Sequence, residues 1–271
     1  MNLDELLNER EWRLCRGPDD ADDTDLVDAF EYFCSNYWYI RHPERGRILF
    51  EMREAQRETV YAWISYRNTI VLKARQIGFS TLAAAFAFWE VFFWQARFEV
   101  MLSRTEREAA KLLQKSKYGY KMLPDWMKQR GPDLVSDNQL KMVFANESAL
   151  ESLPSGNDPA RGESVYRVFI DEMAFLPNSE EAWASIEPIA DVGGASFVFQ
   201  QPKVRGTSST AFGWGLRPVR TTSRVSSFLG LLVTEMKIGM RLKSRSFLTG
   251  SWLKSILLIL MSLLFVLVVL Y

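Results

Sequence analysis

Residues 68–81 read NTIVLKARQIGFST, and these positions decide the fold. Asn68–Lys73 is a short apolar run of the kind a buried strand makes, and the loop that closes it contains Gly78. Ser80 and Thr81 then open a helix-like stretch. A helix start reached through a glycine turn offers backbone N–H groups and the positive end of a helix dipole to phosphate. A Ser or Thr hydroxyl at that point is where phosphate loops bind magnesium. The usual pattern, G-x-x-x-x-G-K-[ST], is not met, because Phe79 stands where the lysine belongs. Lys73 and Arg75 are the cations left to reach phosphate. Taken alone, the segment reads equally well as an ordinary strand-to-helix turn.

The surrounding pattern repeats the alternation. Residues 80–95 (STLAAAFAFWEVFFWQ) are apolar nearly all round, as a helix covered on most sides would be. EVMLS (99–103) reads as a second strand with a charged helix after it, LKMVFA (140–145) as a third and YRVFID (166–171) as a fourth. A fifth starts at Ala195. Strands alternating with helices predict an α/β fold whose sheet is mostly parallel and wrapped on both faces. Ahead of it lie a short helix, an acidic and loosely ordered stretch around residues 17–25, an aromatic helix over 26–40 that ends near Pro43 and Gly46, and a helix over about 53–65.

A second segment gives the first its meaning. VFIDE (168–172) ends an apolar strand in two carboxylates, Asp171 and Glu172. Such a pair suits nucleotide hydrolysis: the first carboxylate holds the magnesium shell and the second polarises the attacking water. Two such segments in this order, with strands between them, predict an ATPase far more strongly than either does alone.

The run Lys73–Thr81 (KARQIGFST) resembles the deviant phosphate loop of phage terminase large subunits, which drive DNA into capsids. The resemblance covers roughly residues 30–198. It implies a P-loop NTPase (RecA/ASCE-like) with a parallel sheet flanked by helices. ATP and Mg2+ are the implied cofactors. The cation at the front of the loop falls on Arg75, with Lys73 as a second candidate; Gln76 and Gly78 are loop positions, and Ser80 or Thr81 is the metal ligand beside Asp171. Glu172 becomes the water-positioning group. Gln56, in REAQRE (53–58), matches the family's adenine-reading glutamine, and an exposed helix Gln is the plain alternative. The strand ending Leu102-Ser103-Arg104-Thr105 resembles the segment after the family's second strand. Arg161, in Ala160-Arg161-Gly162, is either a finger acting in trans or a surface arginine. The implied partners are double-stranded DNA, a small terminase subunit, a portal protein and further copies in a ring, all in the host cytoplasm.

Charge divides the chain. Residues 1–198 carry 23 Lys+Arg against 32 Asp+Glu, whereas 199–271 carry 10 against the single acid Glu235. So abrupt a change marks a boundary. Three segments are therefore expected: a helical N-terminal lead-in (1–60), the ATPase core (61–198) and a tail (199–271). The acidic first half offers no obvious stripe for DNA. Two cysteines, Cys15 and Cys34, make no disulfide framework and no metal spacing, and a single histidine, His42, disfavours His-based triads. The acidic first 30 residues lack the apolar region of a signal peptide.

The tail fits nothing in the family as written. Codons built from the last base of one residue and the first two of the next turn Lys203–Trp214 into GKGNFFHRLWV, which reads as a continuation of a terminase large subunit. Some positions are forced: Met236-Lys237 can give only Glu. A reading-frame slip near residue 198 therefore explains the tail as non-native. The rival is a membrane-anchored P-loop-like protein without packaging activity. Its anchor would be SILLILMSLLFVLVVLY (255–271), uncharged and 17 residues long, at the lower limit for a membrane span. A helicase-type ATPase needs a second motor domain that the chain does not carry. The nuclease domain that follows the ATPase in the family is likewise not expected here.

Overall fold

The computed structural model describes residues 2–72, 78–154, 164–171, 195–200 and 265–269. Residues 1–202 and 264–271 fall in one compact unit; a second, 203–263, lies outside the described residues.

The first unit opens with α1 (Leu3–Arg16) and α2 (Asp23–Asn36). Each begins in a capping box, Asn2 with Glu5 and Asp22 with Asp25. The acidic stretch expected to be loose thus starts a helix: the Asp22 side chain accepts from the N–H groups of Thr24 and Asp25, where carboxylates are favoured. The aromatic run expected to continue helically stops at Asn36. Beyond it β1 (Tyr39–His42) and β2 (Gly46–Leu49) form an antiparallel hairpin. Aromatic residues suit strands, Gly46 turns at φ +68°, and His42 Nδ1 accepts from the backbone N–H groups of Glu44 and Arg45. The sole histidine is a turn cap. Next comes α3 (Glu54–Ser65).

The remaining elements are β3 (Asn68–Leu72), α4 (Phe79–Phe93), β4 (Phe98–Ser103), α5 (Glu106–Met122), α6 (Asp125–Arg130), β5 (Leu134–Asp137), β6 (Lys141–Phe144), β7 (Ala149–Pro154), β8 (Arg167–Asp171), β9 (Ala195–Gln200) and β10 (Phe265–Val269). The sheet order is β10-β3-β9-β8-β4-β7-β6-β5. It is parallel from β10 to β7, and β6 and β5 close one side antiparallel. The strand expected at 140–145 is therefore the antiparallel β6, and the parallel neighbour of β4 is β7, which sequence reading missed. β7 (ALESLP) carries a Glu, a Ser and a Pro and lacks the continuous apolar run that marks a doubly covered strand.

Of the apolar stretch 255–271, Phe265–Val269 runs as a strand beside β3. No helix among the described residues is long and apolar enough to cross a membrane.

The uniform hydrophobicity of α4 has a clear cause. Leu82 through Phe93 are all buried. One side of α4 packs on the sheet, where Phe86 meets Phe169 of β8. The other side packs on the N-terminal helices, where Phe30 meets Phe86 and Trp89 and Trp12 meets Phe93. The Trp89 indole N–H donates to the carbonyl of Cys15 at 2.7 Å, tying α4 to the end of α1. Cys15 and Cys34 are buried free thiols whose pKa values burial pushes up. Gly119 is needed for packing rather than for its backbone angles: a Cβ there would sit 2.2 Å from the Trp38 ring. The lead-in thus shares one aromatic core with the sheet.

Candidate nucleotide site

The two motif segments meet because one strand lies between them. β9 pairs with β3 on one side and β8 on the other, and Phe199 is level with Val71 in β3 and with Asp171 in β8. The end of β3 and the end of β8 therefore reach the same edge of the sheet, with β9 as the spacer.

Gly78 caps α4 at φ +81°, a left-handed conformation that costs glycine little. No side chain bonds to the first N–H groups of α4 from that cap, and its first turn carries no acid. The turn faces β8 directly: Ser80 Oγ donates to Asp171 Oδ2 at 2.6 Å. Gln56, 3% exposed, lies against Gly78. Its Oε1 accepts from the Arg53 N–H at 2.9 Å, and its Nε2 is 3.0 Å from where a Cβ on Gly78 would sit. The glutamine is thus a buried support of the loop's end and not the exposed helix residue of the plain reading. Phe79 is buried, so the residue at the usual lysine position brings no charge to the surface.

The structure brings together four of the residues singled out in the sequence, namely Gln56, Gly78, Ser80 and Asp171, and sets Thr81 in the same helical turn as Ser80. Lys73, Arg75, Gln76, Arg161 and Glu172 lie outside the described residues.

Sequence reading missed three features. The first is Lys115 of α5, whose Nζ donates to Thr81 Oγ1 at 3.0 Å. Nothing in the spacing of a charged helix distinguishes it from its neighbours.

The second is a buried ionic group at the opposite edge of the sheet, where β4 and β8 begin. Arg167 Nε pairs with Glu90 Oε2 at 2.6 Å, and its Nη1 donates to the Trp63 carbonyl at 2.6 Å. One residue so links β8, α4 and α3. Glu99 is fully buried beside Glu90. Burial foremost, then the charge of Glu90, pushes its carboxyl well above the usual range, against the pull of Arg167 and Arg97. As a carboxylate, Glu99 has no hydrogen-bond partner for either oxygen among the described residues. A neutral Glu99 gains one by donating to Glu90.

The third is a cleft of about 540 Å3 lined by Arg41 of β1, Lys117 and Lys121 of α5 and Lys128 of α6, with Tyr118 and Tyr120 between them. The Arg41 guanidinium lies 4.4 Å from the Tyr118 ring centre. Asp137 pairs with Lys117 and is the one acid in the lining. Because these cations come from three elements, no stretch of sequence reveals them as a patch.

No group of three or more His, Cys, Asp or Glu side chains among the described residues could hold a metal by itself. A parallel sheet, a glycine-opened helix after one strand, a carboxylate ending another and a third strand between them together make a P-loop fold of the RecA/ASCE-like kind. Residues 70–203 match the family described as terminase large subunit, T4likevirus-type, N-terminal.

The similar solved structures are large terminases of phages. That of bacteriophage HK97 agrees in fold: it is 13% identical with a TM-score of 0.53, covering 65% of this chain and 38% of that one. A mutant ATPase domain of the Thermus phage P74-26 large terminase is 17% identical with a TM-score of 0.49, covering 57% and 66%. A large terminase from a thermophilic bacteriophage, in complex with ADP, is 12% identical with a TM-score of 0.40, covering 55% and 38%. The chain thus spans well under half of the HK97 protein.

Proposed function

We propose that the protein binds and hydrolyses ATP as the ATPase part of a phage terminase large subunit, the activity that packages DNA into capsids. The observation that carries this reading is the 2.6 Å contact between Ser80 Oγ and Asp171 Oδ2. It joins the helix start after one motif to the acid of the other. A hydroxyl and a carboxylate so close are the hard oxygen donors that Mg2+ prefers. Magnesium bound there would neutralise charge on the phosphates of the nucleotide. Ser80 and Asp171 would hold it, with Thr81 beside them. Arg75, with Lys73, binds the phosphates in place of the absent loop lysine. Glu172 orients the attacking water and accepts its proton. Gln56 supports the loop at Gly78 and reads the adenine. Arg161 supplies positive charge at the phosphates, from a neighbouring copy if the subunits form a ring.

Titration of the intact chain with a fluorescent ATP analogue in the presence of magnesium tests the site. Binding is the expected result, and Arg75→Ala is expected to weaken it. No binding removes the ATP reading; equal affinity in the variant removes the role given to Arg75.

Double-stranded DNA is the proposed polymer partner, with a small terminase subunit and a portal protein completing the machine in the host cytoplasm. The cleft of Arg41, Lys117, Lys121 and Lys128 is where its phosphates would lie, since clustered cations displace counterions from a duplex. Lys121→Glu with Lys128→Glu is expected to lower duplex affinity about tenfold at low salt. The slope of log affinity against log salt should fall by about two. Unchanged affinity and slope would move the DNA surface elsewhere.

The tail 199–271 is read as the product of a reading-frame slip, so packaging by this chain is impaired. Two observations support that boundary. The family match stops at residue 203, and β9 continues in register to Gln200, two residues beyond Val198. The strand at 265–269 fits the same origin. A thymine-rich second codon position yields Phe, Leu and Val, and the open side of β3 accepts any such run. Translation of codons 196–204 and onward in the adjacent frame should continue as terminase; an early stop there defeats the slip.

A further inference from the structure

The face that the β1–β2 hairpin turns toward α5 carries two cations side by side. In the antiparallel register Arg41 stands directly opposite Arg47, so their side chains leave the same face of the ribbon. Both are exposed, and both run onto α5. The Arg41 guanidinium lies over the Tyr118 ring, and Nη1 of Arg47 donates to Met122 Sδ at 3.7 Å, one helical turn further on. Like charges directly opposite one another in a strand pair cost stability. Among the described residues neither arginine has a carboxylate within ion-pair reach to offset that cost. An anion held between the two guanidinium groups removes it.

The surroundings say which anion. Lys117, Lys121 and Lys128 line the cleft that begins at Arg41, and its one acid, Asp137, is taken up by Lys117. With Arg47 beside the cleft, five cations gather within residues 1–198, where acids outnumber bases 32 to 23. A row of cations along a ribbon and a helix matches a polymer of phosphates better than one small anion. Single strands are bound by stacking their bases on open aromatic rings. Here the rings carry cations instead: Arg41 lies over Tyr118, Arg47 is 5.3 Å from the ring centre of Tyr39, and Lys128 is 5.8 Å from that of Tyr120. Tyrosines that hold cations in place suit the backbone of a duplex.

We propose that the β1–β2 hairpin is a duplex-binding element in which Arg41 and Arg47 hold one DNA phosphate between them, next to the phosphates taken by the lysines of the cleft. The contact is with the backbone, so it carries no preference for base sequence. This rests on the DNA reading of the cleft given above.

Fluorescence anisotropy of a labelled duplex titrated with the full chain tests it, with thermal melting run in parallel. Arg41→Gln with Arg47→Gln is expected to weaken binding about tenfold at low salt. The slope of log affinity against log salt should fall by about one, as loss of a single phosphate contact requires. Either single variant should show most of that loss, because the phosphate is shared, and the single variants carry the test if the double variant melts early. Arg41→Lys with Arg47→Lys keeps both charges and should keep the slope. Unchanged affinity and slope in the glutamine variants, alongside weakened binding in Lys121→Glu with Lys128→Glu, overturns the proposal and leaves the DNA reading intact. So does weaker binding with an unchanged slope, the outcome for arginines that only pack the hairpin onto α5. Tighter binding of the separated strands than of the duplex overturns it as well. No duplex binding by the wild-type chain overturns both the proposal and the DNA reading.

Discussion

Arg167→Met is expected to destabilise the protein by about 3–5 kcal/mol, enough to leave much of the chain unfolded at ambient temperature given total stabilities of about 5–15 kcal/mol. The arginine is nearly buried, pairs with Glu90 and donates to the Trp63 carbonyl. Its guanidinium also lies within 5.7 Å of the Phe86 ring centre and 5.3 Å of the Phe197 ring centre. Methionine replaces the apolar contacts but strands the Glu90 carboxylate in an apolar surround. Urea denaturation measures the loss, and a drop below about 1 kcal/mol would show that the pair is dispensable. Adding Glu90→Gln should return part of the stability, because the cost lies in the uncompensated charge.

The same group sets a pH dependence. Glu99 has a folded-state pKa raised above its unfolded value, so the native state holds its proton the more tightly. The stability this contributes is fully present below the ordinary carboxyl range and is lost as pH rises through the folded value. Glu99→Gln should therefore raise the melting temperature at neutral pH and flatten its fall with pH.

The other large effect is expected at Asp171. Asp171→Asn keeps an oxygen to accept from Ser80. The loss of charge weakens the magnesium ligand proposed above, and ATP hydrolysis should fall by about two orders of magnitude or more, since metal stabilisation of the transferring phosphoryl group is worth several kcal/mol. The magnesium requirement for nucleotide binding should rise in parallel. Full activity in the variant would put the metal elsewhere and dissolve the pairing of the two motifs. Ser80→Ala supplies the reciprocal test from the other end of the 2.6 Å contact.

How far the sequence could be read depended on whether a signal was local. The strands at β3, β4, β8 and β9 and the helix α4 were legible because each is a run of apolar side chains with a sharp edge. Their parallel arrangement followed from the helices between them. β7 was not legible, because its apolar residues are interrupted, and its pairing with β4 in parallel can only be seen in three dimensions. The hairpin after α2 was masked by an aromatic run that suits helix and strand alike. In the site, Ser80, Gly78 and Asp171 were found because phosphate chemistry places hydroxyl, glycine and carboxylate at fixed offsets. Lys115 follows no such offset: it arrives from a different helix, and only the packing of Ser116 on Ala84 puts it beside Thr81. Arg167 and Glu90 are 77 positions apart, and nothing in the sequence pairs them until the fold buries both.

The position of β9 has a mechanical meaning. Its last residue, Gln200, lies opposite Leu72, the last described residue before the phosphate loop, and one residue past the level of Asp171. β9 is thus the strand that sets the spacing between the two halves of the site, and a shift of its register by one residue would move Leu72 and Asp171 out of line with one another.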